Sequence, residues 1–291
     1  MKRLIRYDFV GFLIASRIPN LIIIGATQYL TAIFLVADYP KKYEQITSFG
    51  FLMMSISTVM IAAAGYIIND YYDQKIDMVN RPEKVVVGTM FRRRLAMLAH
   101  IVLTLGAISI GFYLNPKVGV VHIFSSFFLW YYSNQLRRIT LIGNLVIAFL
   151  SGLTLLMVCV YLGRNEILVY IYASFAMAIA LIREVLKDIE DVKGDSAFGC
   201  ESIPVIFGIR GAKLFIYLVI GGSGAFLLSF LITIDNWLVR YYFLALFPIF
   251  IWFIYKLVYA DRQRDYQSLI SFTNLIILSG LISMILLKPW L

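Results

Sequence analysis

The sequence predicts an all-α, polytopic membrane protein of about nine transmembrane helices. These would form two four-helix pseudo-repeats plus one helix around a central cavity. Three observations predict it. The 291 residues are 61% hydrophobic and only 15% charged, with a mean hydropathy of +0.83; soluble chains are closer to half apolar and a quarter charged. Nine apolar runs have the length that a membrane helix requires, about 20 residues. Finally, one acidic pattern occurs twice, after the second run and after the sixth.

The first run, 9–36, follows Lys2, Arg3 and Arg6, as a signal peptide would. It is too long for a cleaved segment and contains Arg17, Pro19 and Asn20, so it reads as the first span. The second run, 47–68, leads into "NDYYDQKID". The third, 95–114, follows three arginines, Arg92 to Arg94. The fourth, 118–134, ends in "YYSNQLRR". The fifth is 139–162. The sixth, 166–186, leads into "DIEDVKGD", and runs at 212–234, 238–259 and 267–287 complete the set. All must be helices, because lipid offers no partner to an unpaired backbone group.

Charge sets the orientation. With the N-terminus inside, 19 of the 26 Lys and Arg residues fall on inner segments and 6 on outer ones, with Arg17 inside the first span. This positive-inside bias places the N-terminus and both acidic stretches in the cytoplasm and the C-terminus outside, in the cell membrane. It also accounts for the +9 net charge without a nucleic-acid partner. The whole chain, 1–291, reads as a single integral membrane domain. The equal orientation of two motifs four helices apart indicates a parallel internal repeat.

Asp70, Asp73 and Asp77 have the same spacing as Asp188, Asp191 and Asp195. At about 100° per residue, Asp73, Asp77 and Asp70 fall at about 40°, 80° and 100° from Asn69, on one face if the helix continues through the motif. In the second stretch Asp191, Asp195 and Glu184 fall within about 60° of Asp188, while Glu190 points away. Six aspartates gathered at one membrane face repel one another strongly, so a cation must compensate. Neither stretch has His or Cys, which disfavours zinc, and the spacing is not that of a calcium loop. Oxygen donors alone suit Mg²⁺, which bridges a few carboxylates to phosphate. The lone cysteines, Cys159 and Cys200, form neither a ligand pattern nor a disulfide framework.

Bases accompany the acids: Lys75, Arg81 and Lys84 at the first stretch, and Arg183, Lys187 and Lys193 at the second. Metal and bases on a membrane face point to a diphosphate whose hydrocarbon tail lies among the apolar helices. The matching chemistry is ionisation, with the metal neutralising the leaving diphosphate and an acceptor atom capturing the allylic cation. Arg17 and Asn20, polar groups within a span, are candidate substrate contacts. Tyr132, Arg137 and Arg138 form either an interface anchor or a diphosphate grip. Arg92 to Arg94 read as topology signals, and His100 and His122 as lone packing or interface residues.

These residues resemble the UbiA superfamily of intramembrane prenyltransferases. The resemblance rests on nine spans, "R-x-x-N" in the first, "N-D-x-x-D-x-x-x-D" after the second and "D-x-x-D-x-x-x-D" after the sixth. It implies transfer of a prenyl chain from a prenyl diphosphate held through Mg²⁺ to an aromatic ring or a lipid hydroxyl. It also implies a metal set of Asn69, Asp73, Asp77, Asp191 and Asp195, with Asp70 and Asp188 adjoining. Asp73 and Asp191 stand at its catalytic centre. Arg137 and Arg138 stand where Lys-Arg is common in the family. The segments "DMVNRPEKVVVG" and "REVLKDIEDVKGDSAFGCESIPVIFG" are similar to the archaeal ether-lipid members, which attach a second geranylgeranyl chain to geranylgeranylglyceryl phosphate; "VVVG" stands where a proline-containing segment is more usual. C-prenylation of hydroxybenzoate or dihydroxynaphthoate is the alternative within the family. A membrane transporter is the alternative outside it, against which the outer halves of the spans read as apolar.

Overall fold

The computed structural model describes residues 2–231 and 237–286. The ends of the seventh and ninth predicted spans, at 232–234 and 287, and Lys288 lie outside the described residues. Among these residues all regular elements are helical, apart from one isolated bridge between Val87 and Phe91. Eight helical segments are long and apolar enough to cross a membrane. The fourth predicted span is also a helix, α6 (Pro116–Asn134), of 19 residues. It is not among the eight: Lys117, His122, Ser125, Ser126 and Ser133 make it less apolar.

The chain divides into two compact units. Unit 1 comprises Met1–Ile33, Tyr39–Arg137 and Thr154–Asn165; unit 2 comprises Phe34–Asp38, Arg138–Leu153 and Glu166–Leu291. The hub of unit 1 is α4 (Phe49–Asn80), which packs against α1 (Lys2–Ala15), α2 (Ile18–Leu30), α5 (Arg93–Leu114) and α6. A short helix, α3 (Lys42–Ile46), precedes it. Ser48 caps α4 by accepting a bond from the Phe51 amide at 3.2 Å, and Pro82 ends it, since the residue before a proline avoids helical backbone.

In unit 2 the fifth span, α7 (Ile142–Leu162), begins. The hub here is α8 (Ile167–Ala197), packed against α9 (Ile203–Leu231) and α11 (Gln263–Met284), with α10 (Trp237–Tyr259) beside the last two. The hubs of the two units have 32 and 31 residues, and each carries its acidic stretch in its last turns. This matches the repeat read from the sequence, with both helices running well past the predicted ends at 68 and 186. The seventh helix starts at Ile203 rather than at 212 and kinks at Gly208, whose φ of 71° is freely open only to glycine.

The first span is not one helix. It breaks between α1 and α2 at Arg17, which adopts the left-handed conformation (φ 53°, ψ 53°). Pro19 is the cause. Its ring would clash with the Ala15 carbonyl in a continuous helix, and it has no amide to bond there. A π-helical segment, Thr31–Leu35, follows α2.

The parts of α2 and α4 remote from the acidic stretch also depart from the expected apolar character. Thr27, Gln28, Ser55, Ser57 and Thr58 are buried there, as is Thr31 at the start of the π-helical segment. Several are bonded within the unit: Thr27 Oγ1 donates to the Ile23 carbonyl at 2.7 Å, Thr58 Oγ1 to the Met54 carbonyl at 3.1 Å, and Ser57 Oγ meets His122 Nε2 at 2.8 Å. Such local pairing is how hydroxyls are tolerated in lipid. His122 is a packing residue, one of the two roles the sequence suggests.

Candidate active site

In unit 1 the helical geometry expected for the first acidic stretch is present, because α4 continues to Asn80. Asp73 is 2% exposed, while Asn69, Asp70 and Asp77 are half-buried. Asn69 Nδ2 donates to Asp73 Oδ2 at 2.6 Å, and the Arg137 guanidinium forms an ion pair with the same oxygen. Arg137, read from the sequence as an interface anchor or a diphosphate grip, is paired with an acid in this structure. Tyr132 is buried one turn earlier in the chain. The break before Pro19 turns Arg17 onto Asp70, Nη2 to Oδ1 at 2.9 Å, with its guanidinium 4.9 Å from the centre of the Tyr66 ring. An intramembrane arginine in contact with an acid and an aromatic face is well compensated. Asn20 is half-buried in the first turn of α2, and its side chain makes no hydrogen bond among the described residues. Arg81 is half-buried and Lys84 exposed in the segment after α4.

In unit 2 Asp191 and Asp195 are each 3% exposed and Asp188 is half-buried. Asn144, in the first turn of α7, donates from Nδ2 to Asp188 Oδ2 at 2.7 Å. Lys187 is half-buried and Lys193 exposed. Glu190 points to the other face, as its angle requires, but it is buried, and its Oε1 accepts from Gln267 Nε2 at 2.7 Å on α11. It is therefore a packing contact between helices and not a solvated group. The Arg138 side chain is exposed, and its backbone does the local work. Its carbonyl accepts from the Glu201 amide at 3.0 Å, and Thr140 Oγ1 donates to the Glu201 carbonyl. These bonds tie the loop that follows α8 to the turn before α7.

Unit 2 also holds a cavity of about 370 Å³ between α7, α8 and α9. Leu145, Ala148, Ala178, Leu181, Phe226 and Leu227 are among its walls. Its two serines bond to their own helices, Ser174 to the Tyr170 carbonyl and Ser223 to that of Ile220, so the interior is apolar. It runs from Leu181 to Ile171, about 15 Å along α8. Its upper wall, Leu145, is the neighbour of Asn144, which holds Asp188.

The donor chemistry of both stretches fits Mg²⁺: carboxylate and amide oxygens, with no imidazole or thiolate. No three His, Cys, Asp or Glu side chains converge on one point among the described residues.

Sequence reasoning missed Asn144, Tyr66 and the Asp8–Arg92 ion pair described below. Asn144 was open to the rule that singled out Arg17 and Asn20, a polar side chain inside an apolar run. Arg92 is more than a topology signal, since Asp8 holds it through three bonds.

Two long apolar helices ending in buried carboxylates, amid further membrane-length helices, define an integral membrane protein with two acidic helix ends. The UbiA prenyltransferase family matches residues 29–276, and the chain belongs to that family. The chain is 35% identical over 189 residues to the digeranylgeranylglyceryl phosphate synthase of Methanothermobacter thermautotrophicus, a match spanning 64% of this chain and 65% of that protein, just under two thirds of its length. It is 29% identical to the enzyme of that name from Methanospirillum hungatei, over 78% of each chain. Among solved structures, one reported for digeranylgeranylglyceryl phosphate synthase in membranes superposes with a TM-score of 0.71 at 20% identity, covering 96% of this chain and 98% of the other. A UbiA homologue from Archaeoglobus fulgidus, bound to GPP and Mg²⁺, superposes at 0.69 with 13% identity, covering 94% and 99%. At these identities the structures establish the shared fold.

Proposed function

We propose that the chain is a Mg²⁺-dependent prenyltransferase that moves a geranylgeranyl group from its diphosphate to the hydroxyl of a prenylated glycerol phosphate, forming an ether lipid. The observation that carries this reading is the burial of Asp73, Asp191 and Asp195 at 2%, 3% and 3% exposure, at the ends of two apolar helices. Carboxylates buried so deeply need cationic partners; Arg137 is one for Asp73, and a bound metal ion would add positive charge at both acidic helix ends. The names of the relatives support the acceptor, as do the "NRPEK" and "REVLKDIEDVKGD" segments. The apolar cavity beside α8 is the candidate site for the prenyl chain.

In this reading Asn69, Asp70, Asp73 and Asp77 of unit 1, and Asp188, Asp191 and Asp195 of unit 2, would be the residues that hold Mg²⁺. When bound, Mg²⁺ supplies charge neutralisation to the departing diphosphate. Asn69 and Asn144 fix the rotamers of Asp73 and Asp188. Arg17, Arg81, Lys84, Arg137, Lys187 and Lys193 take the phosphate oxygens of the substrates, with Asn20, Tyr132 and Arg138 adjoining. The allylic C–O bond breaks with its electron pair leaving on diphosphate. The acceptor hydroxyl oxygen bonds to that carbon and gives up its proton. The whole chain acts as one enzyme of the cell membrane, with its N-terminus and acidic stretches cytoplasmic and its C-terminus outside.

The test is a reaction of purified protein with labelled geranylgeranyl diphosphate and a panel of acceptors, read by mass spectrometry. Geranylgeranylglyceryl phosphate should gain one C20 unit as an ether. Prenylation of hydroxybenzoate or dihydroxynaphthoate, with no glycerol phosphate product, would contradict the acceptor and favour C-prenylation.

A further inference from the structure

The segment between α4 and α5 carries Arg81 and Lys84, and it does not hang free. Arg81 and Lys84 open it in a tight turn, with the Arg81 amide bonded to the Asp77 carbonyl at 2.7 Å and the Lys84 amide to the Arg81 carbonyl at 2.9 Å. The chain then doubles back along α4. Val87 and Phe91, 1% and 3% exposed, pack with Ala15, Ile67 and Ala96 in one small core, with Tyr71 and Phe12 against it. Gly88, at φ 92°, lies flat on Gln74, where a Cβ would stand 2.1 Å from Nε2. Gln74 sits between Asp73 and Asp77. One side of this hairpin-like loop is therefore pressed onto the acidic turn itself.

The N-terminal helix grips the other side. Asp8 Oδ1 accepts from the Arg92 amide at 3.1 Å, and Oδ2 accepts from Arg92 Nε at 2.8 Å and pairs with Nη2 at 2.7 Å. Gly11 passes so close that a Cβ would lie 2.8 Å from the Phe91 Cβ and 3.0 Å from the Met90 carbonyl carbon and oxygen. Phe12 meets Phe91 edge-to-face, with centroids 6.1 Å apart. A bidentate ion pair, a backbone contact that only glycine permits and an aromatic pair all converge on residues 90–92. The ordinary need of an N-terminal membrane helix to bury its apolar side explains the aromatic pair, but not the ion pair or the close backbone approach at Gly11.

We propose that α1 is a brace, and that Asp8, Gly11 and Phe12 are positioning residues that press the 85–92 loop onto Gln74 and so fix Arg81 and Lys84 beside Asp77. The part concerning phosphate rests on the function proposed above; the brace itself does not. A brace of this kind acts on substrate binding, because it sets where two bases stand without touching the reacting carbon.

The experiment uses the full chain in detergent and compares wild type, Asp8→Arg, Arg92→Asp, the Asp8→Arg/Arg92→Asp pair and Gly11→Ala. The first reading is trypsin cleavage after Lys84, followed by mass. Cleavage should be about tenfold faster in each single variant, as local opening predicts, and should return close to the wild-type rate in the charge-swapped pair. The second is the KM for prenyl diphosphate, which should rise about tenfold with little change in kcat, as loss of uniform binding requires, and should also recover in the pair. Unchanged cleavage in Asp8→Arg and Gly11→Ala would overturn the brace. Faster cleavage with unchanged KM would overturn the positioning role. If wild type transfers no prenyl group, binding of inorganic diphosphate with Mg²⁺ replaces KM. The proposed function then fails alone, and the brace stands or falls on the same two readings.

Discussion

Asp73→Asn and Asp191→Asn should each lower turnover by about 10²–10³-fold, the usual cost of removing one charge-stabilising group from an active site. Asparagine keeps the shape and one acceptor oxygen of each side chain and removes the charge. The two positions are 2% and 3% exposed and belong to equivalent turns of α4 and α8. Equal sensitivity at both is what the repeat demands. The purified Asp191→Asn variant should insert normally and keep the wild-type elution profile; Asp73→Asn also leaves Arg137 without its acid, so its turnover is normalised to the folded protein recovered. A wild-type rate in either one removes that residue from the site. Because Glu190 bonds Gln267 on α11, Glu190→Gln is the proper control: it retains that contact and should retain activity.

Arg137→Gln should be the most destabilising single change in the site. It leaves the Asp73 carboxylate buried without its guanidinium, and removing one partner of a buried ion pair typically costs about 3–5 kcal/mol. The readings are thermal unfolding of the purified protein and the yield of folded protein. Adding Asp73→Asn to Arg137→Gln removes both charges and should recover most of the stability. It should recover none of the activity, since the carboxylate proposed to hold the metal is gone. Equal stability of Arg137→Gln and wild type would mean that Asp73 is compensated elsewhere. A double variant no more stable than the single would mean that the loss came from packing and not from charge.

Membrane solvation made much of the fold legible. A span must be a helix of known length, so runs of apolar residues locate α4, α5 and α7 to within a few residues at their starts. Periodicity then located the acids: one helical face collects Asn69, Asp73 and Asp77 only if α4 runs on to Asn80, which it does. Where spans were misjudged, a local rule had been outweighed by composition. Pro19 marked the break at Arg17, but the apolar run on either side hid it. Ile203 and the kink at Gly208 were hidden in the same way, because a short amphipathic turn looks like loop beside a long apolar helix.

The tertiary partners were not legible at all. Arg17 finds Asp70 across 53 positions, Asn144 finds Asp188 across 44 and Asp8 finds Arg92 across 84. Nothing in a single sequence couples residues so far apart. Arg92 was discounted for a related reason. A basic residue at an inner helix end has a sufficient explanation in topology, and its ion pair with Asp8 emerges only when α1 packs against the loop before α5.

The central claim is that each acidic turn is required for Mg²⁺-dependent binding of the prenyl diphosphate. Binding of an inert thio-analogue of geranylgeranyl diphosphate, followed by calorimetry with Mg²⁺ and in excess EDTA, tests it most directly. The account predicts binding that requires Mg²⁺ and is lost in both Asp73→Asn and Asp191→Asn. Equal affinity in EDTA, or loss in only one of the two variants, would contradict it.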